Sequence, residues 1–210
     1  MNRYFSKHKF SALFAILTHP LQGFYEIRHR SMGSVPLAIL MILLFGMTYS
    51  FNRAAASFVV SDVNPQWVNM PRECGAVLLL FLLFAIGNWS VTCLMEGEGR
   101  FSDILTVTGY ALLPLVLTWI PSTFLSWIIA ANEQTFYLIF IWFGVIWSVF
   151  LFFTGIMTVH AFSLAKTLAT LFFTAISIFI IIFISVMLVN LLNQVYMFFR
   201  SVYTEVIFRF

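Results

Sequence analysis

The sequence predicts an all-α fold: a polytopic membrane bundle of five transmembrane helices, preceded by amphipathic helices that lie at the membrane surface. Three observations lead there. Of the 210 residues, 61% are hydrophobic and 9% charged, with a mean hydropathy of +0.97, whereas soluble domains carry roughly a quarter charged residues. Phenylalanine alone supplies 26 positions, which suits a surface facing hydrocarbon. Apolar runs recur along the chain, each close to the ~20 residues a helix needs to cross a bilayer. What remains is too short for a soluble catalytic or nucleotide-binding domain of ordinary size. A net charge of +3 in so apolar a chain gives no expectation of nucleic-acid binding.

Residues 1–34 read as a cytoplasmic, interfacial segment. Arg3, Lys7, Lys9, Arg28 and Arg30 all precede the first long apolar run and suit anionic lipid headgroups. Phe10, Leu13, Phe14 and Leu17 fall at i, i+3, i+4 and i+7, the stripe of an amphipathic helix. Pro20 opens a second short helix with Leu21, Phe24 and Tyr25 on one side. Neither piece is long enough to cross. Each lies on the membrane, apolar side down, or the two pack as a hairpin on the loops of their own bundle. The apolar stretch 10–17 runs into Thr18-His19-Pro20 instead of a small-residue cleavage site, so it is not read as a removable signal.

The membrane unit is expected over 35–192. Span one is 35–51, with Pro36 in its first turn, where a missing donor costs little. Span two is 75–95 and carries Asn88 at membrane depth. A charged loop with Glu96, Glu98, Arg100 and Asp103 follows. Span three, 104–131, contains Pro114 and Pro121, so it is bent, split or tilted. Spans four and five are 136–158 and 168–192. The tail 193–210 places Phe199, Val202, Tyr203, Val206, Ile207 and Phe210 against a polar face with Arg200 and Arg209. That is an interfacial helix or a continuation of span five. The basic N-terminal segment, Arg100 and Lys166 outweigh Arg53, Arg72, Arg200 and Arg209. The N-terminus is therefore placed in the cytoplasm and, with an odd number of spans, the C-terminus outside.

Chemical equipment is sparse. The span interiors hold no Asp, Glu, Lys or Arg, the usual marks of pumps and proton relays. His8, His19, His29 and His160 form no ligand set at helical spacing. No catalytic, cofactor-binding or metal-binding residue is therefore expected, and the chain is not read as an enzyme. Glu96, Glu98 and Asp103 beside two glycines are a solvated loop before they are a cation site. With Arg100 they form a candidate cytoplasmic contact surface. Cys74 and Cys93 would stand about 28 Å apart along one helix, too far for a disulfide. Ser122, Ser126 and Ala130, and again Ala161, Ala165 and Ala169, repeat at four-residue spacing as candidate packing or partner faces. Asn88, Pro114 and Pro121 are the candidate kink and polar lining, should the chain be a permease or channel for a small neutral or lipid-like solute.

His19-Pro20, Gly23-Phe24-Tyr25-Glu26-Ile27-Arg28 and Gly33-Ser34 resemble the N-terminal portion of bacterial members of the Yip family, named for eukaryotic proteins that interact with Rab-type GTPases. Gly97-Glu98-Gly99-Arg100-Phe101-Ser102-Asp103-Ile104 and Gly109-Tyr110-Ala111-Leu112-Leu113-Pro114 are similar to the family's glycine loop and tyrosine–proline helix. The likeness runs over about residues 19–192 and includes the stretch 155–166. It implies a five-helix membrane domain with a cytoplasmic N-terminus, no cofactor and no catalytic residues. The eukaryotic branch's long acidic N-terminal arm has no counterpart here, so GTPase binding is not expected. Bacterial members are often encoded beside carbohydrate-uptake genes. The resemblance therefore implies a non-enzymatic scaffold or accessory subunit in the bacterial cell membrane, associated with lipids and with another integral membrane protein such as an ABC-type sugar importer.

Overall fold

The computed structural model describes residues 7–30 and 33–209. Arg3, Phe210 and the side chains of Lys7, His8, Lys9 and Phe10 lie outside the described residues. The helices are α1 Lys7–Thr18, α2 Pro20–His29, α3 Val35–Ala55, α4 Met70–Leu94, α5 Phe101–Tyr110, α6 Leu113–Leu125, α7 Gln134–His160 and α8 Leu164–Arg209. Among the described residues there is no strand. Among the described residues, five segments are long and apolar enough to cross a membrane: Val35–Ala55, Met70–Leu94, Phe101–Leu125, Ala131–His160 and Leu164–Arg209. The all-helical, five-span architecture is the one the composition demands.

Several helices outrun their apolar runs, and the reason is local. The Asn69 side chain accepts the Arg72 N–H at 3.1 Å, and Pro71 sits in the first turn, so α4 starts ahead of residue 75. α3 likewise continues past residue 51 and brings Arg53 to Glu73 of α4 at 2.6 Å. Charges end a hydropathy window but do not end a helix when they find partners in the next one.

Span three is broken, and it ends at Leu125 instead of reaching 131. α5 stops at Tyr110, two residues turn, and α6 restarts with Pro114 in its first turn. Pro114 has no N–H to return along the helix. The carbonyl that loses this N–H is that of Tyr110, four residues back; the adjacent Ala111 carbonyl accepts the Ser148 hydroxyl of α7. Pro121 remains inside α6. Polar backbone at membrane depth persists because a neighbouring helix satisfies it.

The α5–α6 segment forms the centre of the bundle, with 78% of its most apolar window buried. α3 and α7 flank it, α4 packs on α3 and α5, and α8 lies outermost against α4. Tyr110, Ile104, Val107, Leu37, Ile42, Leu151 and Ile156 fill the core.

The N-terminal helices pack on each other, and α2 packs on α7 and α5. Among their residues with described side chains, Leu13, Ile16, Gly23, Phe24 and Ile27 are buried, while Phe14, Leu21 and Tyr25 are exposed. The buried stripe thus differs from the one read from spacing. Gly23 lets Ile16 close onto the α2 backbone, and that contact sets which face turns inward.

The tail is not a separate element. α8 is a single helix of 46 residues, ~69 Å at 1.5 Å per residue, and every residue over 182–209 is exposed.

Candidate functional site

Charge gathers where α4 gives way to α5, beneath the end of α2. After α4 the chain enters Glu96 with φ of 56°, and the Gly97 N–H returns to the Thr92 carbonyl at 2.8 Å. α7 closes in the same manner: Ala161 has φ of 54° and the Phe162 N–H reaches the Met157 carbonyl at 3.1 Å. Both are helix-ending turns closed by a left-handed residue.

The two turns meet across His160. The ring is 1% exposed and its Nδ1 accepts the Gly99 N–H at 3.2 Å. A Cβ on Gly97 would fall 2.6 Å from Nδ1, and one on Gly99 2.7 Å from Cε1. The glycines are required by this close approach of loop to ring.

On that anchored loop, Glu98 pairs with Arg28 from the last turn of α2. The hydrogen bond and charge of the Arg28 guanidinium hold the Glu98 carboxyl below its ordinary range. The Asp103 carboxylate accepts the Arg100 N–H at 3.1 Å, in the first turn of α5, where a negative charge complements the helix dipole. The Arg100 residue itself is exposed. A cleft of about 520 Å³ lies between, lined by Arg28, His29, Glu98, Arg100, Ser102 and Asp103. Both carboxylates already have partners. Among the described residues no group of three or more His, Cys, Asp or Glu stands ready to hold a metal ion. What the cleft offers is charge of both signs, with Glu98 paired to Arg28.

The other sequence-predicted residues are dispersed. Asn88 is fully buried and donates to the Thr174 hydroxyl of α8 at 3.1 Å, so it joins helices. Pro114 and Pro121 sit on α6, which packs on α3 and α7, away from the Asn88–Thr174 bond. Ser122 and Ser126 are buried; Ser126 accepts the Ser57 N–H at 3.0 Å and so pins the loop after α3. Ala130 is exposed beyond the end of α6. Ala161 occupies the left-handed turn, Ala165 is exposed and Ala169 is half-buried. The alanine spacing therefore makes no continuous helical face, and α8 buries Thr167, Thr170 and Thr174 in its place.

Two features lay outside the sequence reading. The first is a set of glycine contacts between helices. A Cβ on Gly109 of α5 would sit 2.5 Å from the Ala38 carbonyl oxygen of α3, and one on Gly155 of α7 2.5 Å from a Val107 methyl of α5. Gly144 stands closer still to the Thr118 hydroxyl of α6. The available signal was glycine in a helix interior, which costs ~1 kcal/mol against alanine and so marks a packing need.

The second is a polar network at the far end of the bundle. Asn52 donates to Thr123 at 2.8 Å and accepts from the Tyr137 hydroxyl at 3.1 Å, joining α3, α6 and α7.

A family model described as Yip1 domain matches residues 14–199. No curated protein and no solved structure matches the chain.

Proposed function

The chain belongs to the Yip1 domain family, and from that premise we propose that it is a non-enzymatic membrane scaffold, an accessory subunit that docks onto another membrane complex. The observation that carries this reading is α8. Its apolar window is 6% buried, and it shows Phe183, Leu188, Leu191, Phe198, Phe199 and Tyr203 without cover. At ~69 Å it is about twice the ~30 Å hydrocarbon thickness. An apolar helix of that length needs a second surface along the part that outruns the lipid. Asn190, Asn193 and Gln194 are exposed on it and suit hydrogen bonds across a helix pair.

In this reading the membrane is a bacterial plasma membrane, with the N-terminus and the 96–103 loop in the cytoplasm. The Arg28–Glu98 cleft is then a second contact surface for the same complex. The family resemblance favours a carbohydrate importer of the ATP-binding-cassette class as the partner. The test is purification of the tagged full chain in mild detergent beside a form lacking residues 182–210. The full chain should co-isolate a stoichiometric membrane protein and the shortened form should not. A homogeneous monomer in both cases would overturn the reading.

A further inference from the structure

We propose that the groove between α3, α4 and α6, at the end of the bundle away from Arg28 and Glu98, binds one anionic phospholipid. Its phosphate lies on Arg72 and its acyl chain over Phe45, Val77 and Trp119.

The groove has a volume of about 580 Å³, within the ~300–1,000 Å³ of small-molecule sites. Its lining is sorted along the helices. On α4, Arg72, Ala76 and Leu80 follow at four-residue intervals down one face; on α3, Arg53, Tyr49 and Phe45 do the same. Each face thus carries a guanidinium at the mouth and an apolar wall about 12 Å deep. Trp119 of α6 closes the floor, its ring centroid 5.6 Å from those of both Phe45 and Tyr49. Ala76 keeps the space open between them, and Leu80 and Ala76 are exposed, so the groove opens sideways, toward acyl chains.

Charge complementarity selects an anionic occupant. Glu73 is held by Arg53 at 2.6 Å and by the Ser50 hydroxyl at 2.7 Å, which neutralises Arg53 and fixes its position. Arg72 is exposed and has no carboxylate partner among the described residues. One uncompensated positive charge at the mouth matches the single net negative charge of an anionic phospholipid, whereas a choline headgroup already neutralises its own phosphate. Two helical turns of apolar wall below that charge have no use for an inorganic anion. They fit a molecule with a head and a tail.

Native mass spectrometry of the full-length protein tests this with phosphatidylglycerol, phosphatidylcholine of the same chains, and glycerophosphoglycerol as the headgroup without chains. One equivalent of phosphatidylglycerol should be retained over phosphatidylcholine by a factor on the order of fivefold, and the free headgroup should not compete. Arg72→Gln should bring the ratio close to one while Arg72→Lys restores it. Ala76→Phe should weaken retention of both lipids. Both positions are exposed, and an unchanged melting temperature confirms that each variant folds. Equal retention of the two lipids, a preference that survives Arg72→Gln, or competition by the free headgroup would each overturn the proposal.

Discussion

Glu96 and Ala161 end their helices in the left-handed conformation that glycine adopts without cost, yet each carries a side chain there. The steric penalty is ~1–2 kcal/mol, partly offset by the freedom glycine gains in the unfolded chain. Glu96→Gly and Ala161→Gly should each stabilise the protein by roughly 0.5–1 kcal/mol, read as a higher unfolding temperature in detergent. Gly99→Ala should do the reverse, because its new methyl meets the buried His160 ring. The glycine-bounded loop was legible as a turn in the sequence. Its reason was not, since the ring it accommodates comes from the end of another helix.

Helix faces are set by close approach more than by spacing of small residues. Gly109 lies against the Ala38 backbone, which cannot swing aside as a side-chain tip can. Gly109→Ala should therefore separate α3 from α5 and cost about 1–3 kcal/mol, seen as a lower melting temperature and loss of the monodisperse peak. Gly75→Ala is the control: nothing lies within 4 Å of its Cβ, and an exposed helix position gains from alanine. The serine and alanine repeats drew attention because periodicity is visible along a chain. Helix ends interrupt both, the first after Leu125 and the second at Ala161, and no periodicity marks Gly109 or Gly144 as contacts. Span three, by contrast, was legible from Pro114 and Pro121 as bent, split or tilted, and the structure splits it just ahead of Pro114. At that break the Ser148 hydroxyl of α7 donates to the Ala111 carbonyl.

The whole molecule is a bundle to which the N-terminal hairpin is attached by Phe24 and Ile27 from within and by the Arg28–Glu98 pair at the rim. The Glu98 carboxyl is held below its ordinary value of 4.5. Its contribution to docking is accordingly present above that value and lost as pH falls through the lowered one. Hydrogen exchange of residues 13–30 should rise as pH drops below the ordinary carboxylate range, after correction for intrinsic rates. Glu98→Gln should remove that step, and the hydrophobic contacts should keep the hairpin on the bundle at neutral pH. An unchanged step in Glu98→Gln would assign it to another group.

By itself the sequence determined the class of environment and the number of crossings. Transfer of five long apolar helices out of water outweighs any local preference and is proportional to composition, which is readable residue by residue. It also announced a turn around Gly97 and a disturbance of span three by its prolines, because both are properties of the backbone alone. Tertiary structure decided which groups meet. Asn52 with Thr123 and Tyr137, His160 with Gly99, Arg28 with Glu98 and Arg53 with Glu73 each join distant stretches. Such pairs form because an unpaired polar group away from water is costly, and where each partner stands depends on how the helices cross. Around the long spanning helices α4, α7 and α8 the hydrophobic pattern is nearly uniform. Rotation about the helix axis is then chosen by glycine contacts and buried polar bonds, which act only once the helices are side by side.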